Sequence, residues 1–104
     1  MRFDKYVKKT YYYLEVRFAR RAVKQVEKLP WHIRLKLFSW CDLLGEIGLR
    51  EARKQKGYHD EPLKGKRKGQ RSVRLSKGYR AIYKELTGSE LEVIEVIEVN
   101  KHEY

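Results

Sequence analysis

Apolar residues recur along this chain with two periods, and the switches between them mark out its elements. Tyr12, Leu14, Val16 and Phe18 alternate with Tyr13, Glu15 and Arg17, the period of a half-buried strand. Ala22, Val23, Val26 and Leu29 then fall at helical spacing, and Pro30 ends that helix because it cannot donate to the preceding turn. A second helix is predicted from Trp31, with Ile33, Leu37, Cys41 and Leu44 on one stripe, ending near Gly45 or Gly48. Residues 49–70 are polar, basic and glycine-containing, and read mostly as loop. Residues 1–10 read as an N-terminal extension to a single domain spanning 1–104.

A hairpin follows at 71–85. Its turn is predicted to be the three-residue loop Ser76-Lys77-Gly78, with Gly78 in the left-handed position of a bulged turn. That register sets Arg74 opposite Arg80 on one face and gives Val73, Leu75, Tyr79, Ala81 and Tyr83 to the other. A two-residue Lys77-Gly78 turn would put the two arginines on opposite faces and mix charge with core. Between Leu91 and Val99, Glu92, Glu95 and Glu98 recur every third residue, as in a helix. Five of those nine residues are Val or Ile and a Thr87-Gly88-Ser89 turn precedes them, so the segment is read as a strand. The order is βααβββ, a small α+β domain with a helical hairpin packed on an antiparallel-rich sheet.

At 104 residues the chain has room for one core, burying roughly 60–65% of its unfolded surface. Its 25 basic and 14 acidic residues leave a net charge of +11, which calls for a polyanionic partner, nucleic acid before all others. No long apolar run supports a membrane span, and Met1 to Thr10 is basic without the apolar stretch of a secretory signal. The single cysteine, Cys41, allows no internal disulfide, fits a reducing cytoplasm, and sits among Leu37, Trp40 and Leu44 as a core residue would. Trp31 and Trp40 are candidate anchors for a protein partner if exposed and core residues if not.

From Lys64 to Arg80 the chain carries eight Lys or Arg residues and no acid. Interleaved with apolar positions on a hairpin, such cations grip a polyanion at fixed geometry, whereas a solvated run would only aid solubility. Cutting RNA through its own 2′-hydroxyl needs a base, cations for the charged phosphorane, and an acid for the leaving 5′-oxygen. Arg74, Arg80 and Lys64 suit the phosphate, with Lys66, Arg71 and Lys77 as further contacts to the RNA backbone. Glu61 is either a general base or a salt-bridge partner for the cations that follow it. His102 has the side chain suited to proton transfer near neutrality, and Tyr104 could stack on a base or orient a phosphate. His32 and His59 lack metal-ligand spacing to His102 or Cys41, so neither metal nor other cofactor is expected.

Three stretches resemble the RelE/ParE superfamily of bacterial toxins: Glu61-Pro62-Leu63-Lys64-Gly65, Gly78-Tyr79-Arg80-Ala81-Ile82-Tyr83, and the closing Lys101-His102-Glu103-Tyr104. The resemblance covers nearly the whole chain from Tyr12 and implies a microbial-ribonuclease-like fold. It also implies ribosome-dependent cleavage of mRNA and neutralisation by a cognate antitoxin. It aligns Arg80 with the superfamily's arginine on the scissile phosphate, and Arg74 with a catalytic basic residue of the RelE branch. Glu61, Lys64 and His102 match the glutamate base, a lysine and the near-terminal histidine acid of the YoeB-like branch, although here Glu103 separates His102 from Tyr104. A ParE-like branch of the same superfamily poisons DNA gyrase without catalysis, and a non-catalytic RNA- or ribosome-binding module is the blander alternative. Glu61, Arg80 and His102 together favour the ribonuclease, since an inhibitor needs no proton-transfer groups.

Overall fold

The structure is a computed structural model that describes residues 8–11, 14–86 and 92–101. Its elements run β1 (Lys8–Thr10), β2 (Leu14–Phe18), α1 (Arg20–Glu27), α2 (Trp31–Ala52), β3 (Glu61–Pro62), β4 (Arg71–Arg74), β5 (Tyr79–Leu86) and β6 (Glu92–Lys101). Two 3₁₀ turns, Lys56–Tyr58 and Gly65–Arg67, flank β3. The strands form one sheet in the order β1-β2-β6-β5-β4-β3, in which β2 and β6 are parallel and every other pair is antiparallel.

Alternation along the strands separates core from surface. Leu14, Val16 and Phe18 of β2, Val73 of β4, Ala81 and Tyr83 of β5, and Ile94, Val96 and Val99 of β6 join the buried cluster beneath the helices. The helices close that cluster with Ala22 and Val26 of α1 and with Ile33, Leu37, Trp40, Cys41 and Leu44 of α2. Strand β6 outruns β2, and α1 takes over its free edge: Gln25 Oε1 accepts the Val99 N–H at 2.7 Å. The strand reading of 91–99 holds over the residues described, because a buried row of Val93, Ile94, Val96 and Val99 outweighs the threefold spacing of the glutamates. Leu91, Tyr12 and the turn at 87–89 lie outside the described residues.

The structure adds detail at four places and corrects two expectations, the loop at 49–70 and the left-handed Gly78. Residues 8–10 form an edge strand, paired with β2 from Lys8↔Arg17 to Thr10↔Glu15. The helical path from Trp31 ends at Gly48, as expected, where φ is 80° and ψ 164°; what the sequence does not show is the further helical turn beyond this kink, whose Leu49 and Ala52 resume the buried stripe of α2. The 49–70 stretch is more ordered than a loop, since it also holds β3 and the two 3₁₀ turns. Gly78 does not adopt a left-handed conformation. The Ser76 hydroxyl accepts its N–H at 3.2 Å, a side-chain turn that removes the need for positive φ.

Trp40 is fully buried with its ring 5.1 Å from that of Tyr83, whereas Trp31, at the start of α2, is 71% exposed. Gly45 permits a close approach: a Cβ there would overlap the ring of Tyr11, whose hydroxyl donates to Asp42 at 2.8 Å.

Candidate active site

The sheet face turned away from the helices carries the polar residues. In the β4–β5 ladder, Arg74 pairs with Arg80 and Ser72 with Ile82, and both pairs are offset by one residue from Val73↔Ala81 in the core. The Leu75 and Ser76 N–H groups both donate to the Tyr79 carbonyl, at 2.9 and 3.2 Å, which closes the loop over Ser76, Lys77 and Gly78. The expected three-residue register is therefore present, with both arginines on one face. Outside β4, Glu61 pairs with Ser72, so Glu61 shares that face too.

These residues enclose an open cleft of about 220 Å³ lined by His59, Glu61, Ser72, Arg74, Ser76, Lys77, Tyr79 and Arg80. Ligand pockets that engulf a small molecule typically span roughly 300–1,000 Å³. This cleft is better suited to gripping part of a longer chain. Among the described residues neither Arg74 nor Arg80 has an ion-pair partner, and Glu61 has none either. Two forked cations held side by side, with a carboxylate nearby, can bind a phosphodiester and take a proton from a group beside it.

Not every candidate reaches this cleft. Lys64 and Lys66 are exposed around the Gly65–Arg67 turn and do not line it. Arg71 lies on the opposite side of β4, as its odd position relative to Ser72 and Arg74 requires, and its Nε donates to Asp60 Oδ1 at 2.6 Å. His102 and Tyr104 lie outside the described residues; the last described pairs of β6 are Arg80↔Asn100 and Tyr79↔Lys101.

Beside the cleft, Glu98 is buried on the same face under Arg67 (2.7 Å), Arg21 (3.3 Å) and Asn100 (2.7 Å). Burial opposes its charge, but the hydrogen bond and charge of Arg67, aided by Arg21 and Asn100, hold its pKa below the ordinary carboxylate value. Glu98 is thus a structural anion, poorly suited to accepting a proton. Ser72, Ser76 and Tyr79 also line the cleft, where the sequence reading does not expect them and gives Tyr79 to the core face; His59 is the cleft histidine that the sequence reading passes over. The signal for it is its place two residues before Glu61; a search for metal-ligand spacing cannot see it. It has a left-handed backbone, φ 45°, unusual outside glycine.

No protein-family model matches the chain. No curated protein matches it either. Solved structures do. The RelBE toxin–antitoxin complex of E. coli is similar over 86% of this chain and 96% of that one, at 29% identity and TM-score 0.58. The E. coli DinJ–YafQ toxin–antitoxin complex matches over 86% and 93%, at 22% identity and TM-score 0.66. A YoeB/ParE toxin from Agrobacterium tumefaciens matches over 85% and 98%, at 23% identity and TM-score 0.61. The chain therefore has the α+β fold of RelE/YoeB-type toxins, with two helices on a mostly antiparallel sheet.

Proposed function

We propose that this protein is the toxin of a toxin–antitoxin pair and a ribosome-dependent mRNA endoribonuclease. The observation that carries the reading is the cleft itself. Arg74 and Arg80 are cross-strand partners on the helix-free face, without ion-pair partners among the described residues, and line one cavity with Glu61. Like charges directly opposite each other destabilise a ladder, so such a pair is better accounted for by an anion that binds between them.

In the reaction, the 2′-oxygen of the substrate attacks the adjacent phosphorus. The O2′–P bond forms, the P–O5′ bond breaks, and a 2′,3′-cyclic phosphate and a 5′-hydroxyl remain. Glu61 takes the 2′-hydroxyl proton, and Arg80 with Arg74 neutralises the charge that builds on the phosphorane oxygens. Lys77 binds the flanking RNA backbone at the mouth of the cleft. His102 protonates the departing 5′-oxygen and Tyr104 stacks on or orients the substrate, roles taken from the resemblance. The ribosome supplies the mRNA already extended, so a small cleft need only grip one linkage.

The antitoxin is the second partner. The similar solved structures include complexes with one, and a net charge of +11 favours an acidic segment that folds over the cleft or blocks ribosome entry. The test is cleavage of a labelled mRNA by the purified protein with and without ribosomes, alongside a gyrase supercoiling assay. Cleavage confined to the ribosome-containing reaction supports the reading. Intact RNA with inhibited gyrase would move the protein to the ParE-like alternative, and intact RNA with bound ribosomes would make it a binding module.

A further inference from the structure

We propose that Asp60 is the positioning residue of this site: its buried carboxylate, clamped by Tyr83 and Arg71, fixes the short strand that carries Glu61 into the cleft. The inference rests on the proposed role of Glu61 and adds what holds that residue in place. Strand β3 is only Glu61–Pro62, it lies at the sheet edge, and both of its residues are exposed. Pro62 has no N–H to give to the ladder. Backbone pairing alone is thus a weak hold on a catalytic side chain.

The side chain of Asp60 supplies what the ladder lacks. It is 1% exposed and points away from the cleft. Its Oδ2 accepts the Tyr83 hydroxyl at 2.5 Å, its Oδ1 accepts Arg71 Nε at 2.6 Å, and its main-chain carbonyl accepts Arg71 Nη2 at 3.4 Å. Tyr83 is itself fixed: its ring is fully buried against Trp40, and its oxygen accepts Arg53 Nε at 3.4 Å. Arg53 also donates to Glu85 at 2.7 Å, tying the end of α2 to β5. One carboxylate therefore joins the start of β3 to β4 and β5, and through Arg53 to α2.

Alternation explains the functional consequence. With Asp60 turned toward the helices, alternation turns Glu61 to the cleft, and His59, on its left-handed backbone, lines the same cleft. The same clamp accounts for the spacing of Gly78-Tyr79-Arg80-Ala81-Ile82-Tyr83. Arg80 faces the cleft and Tyr83, three residues on, faces the core and holds Asp60. A buried ion pair is a poor source of net stability, because desolvation offsets most of its attraction. What it adds is geometry, and a base displaced by about 1 Å can lose about 10² in rate.

The experiment uses Asp60→Asn and Tyr83→Phe, each alone and on a Glu61→Gln background, in cleavage of ribosome-bound mRNA. Folded fractions are matched by circular dichroism. Each single substitution should lower kcat about ten- to a hundredfold with KM nearly unchanged. On the Glu61→Gln background neither should add a comparable loss, because the clamp acts through Glu61. If Asp60→Asn fails to fold, Tyr83→Phe, which removes one hydroxyl from an otherwise unchanged ring, decides the matter. Parental kcat in folded Tyr83→Phe, or equal losses on both backgrounds, overturns the proposal while leaving the role of Glu61 intact. Parental kcat in Glu61→Gln overturns the reading beneath it and the proposal together.

Discussion

Arg74 and Arg80 are direct partners across the β4–β5 ladder, two like charges set opposite each other with no acid paired to either among the described residues. Such an arrangement works against the fold locally, and it lies on the face that holds the cleft.

Opposed effects on activity and stability follow. Arg80→Ala should lower cleavage of ribosome-bound mRNA by about 10²–10³, as for loss of one preorganised charge-stabilising donor. Arg74→Thr should also lower cleavage while slightly raising stability, since it removes the like-charge contact and places a residue suited to strands. Urea unfolding and single-turnover cleavage on the same preparations check both. A destabilised Arg74→Thr protein would mean that the Arg74 side chain stabilises the fold by more than its repulsion from Arg80 costs.

Glu98 sets an acid limit on stability. Burial works against its charge, but Arg67, Arg21 and Asn100 outweigh burial and keep its pKa below the ordinary 4.5. A carboxylate with a lower pKa folded than unfolded contributes stability above the unfolded value, and loses it as pH falls from about 4.5 through the folded value. Glu98→Gln should therefore be less stable than the parent at pH 7, with the difference shrinking below that range. Chemical denaturation at a series of pH values measures the difference directly.

Cys41 should be inert in the folded protein. Burial, reinforced by the charge of Asp42, pushes its thiol well above the usual range, so the reactive thiolate is scarce at neutral pH. Iodoacetamide should label it only after unfolding, as mass spectrometry would show. Cys41→Ala should cost stability through a small cavity and leave cleavage unchanged.

Gly45 marks a packing limit in α2. A methyl group there would overlap the Tyr11 ring, so Gly45→Ala should destabilise by about 1–3 kcal/mol for overpacking, less about 1 kcal/mol gained in helix propensity. Gly45→Ala combined with Tyr11→Ala should recover part of the overpacking loss in thermal melts. No recovery would show that some other neighbour sets the limit.

The hairpin is legible in the sequence because two faces of opposite chemistry leave only one register that separates them, so Arg74 and Arg80 can be paired from the residues alone. Glu61 is legible as a residue of the site, but its setting is not. Two readings compete for it, base or salt-bridge partner, and the sequence cannot show that it is the adjacent Asp60 that pairs with Arg71 while Glu61 lines the cleft. Asp60 itself cannot be found from composition, because a two-residue strand is too short to show a period. The same shortness conceals β3 among polar residues, and the left-handed turn at His59 hides a cleft residue. Arg71 reads as an RNA contact alongside its neighbours because a run of charge carries no information about faces until the register is known.

The chemistry of the cut ends tests the central claim most directly. The protein, ribosomes and an mRNA with a defined cleavage position would be incubated, and the products' termini identified by mass spectrometry. A matched mRNA would carry a single 2′-deoxynucleotide on the 5′ side of the scissile phosphate. The account predicts a 2′,3′-cyclic phosphate or its hydrolysis product on one fragment, a 5′-hydroxyl on the other, and no cleavage of the deoxy substrate. Fragments with 3′-hydroxyl and 5′-phosphate ends, or efficient cutting of the deoxy substrate, would contradict it.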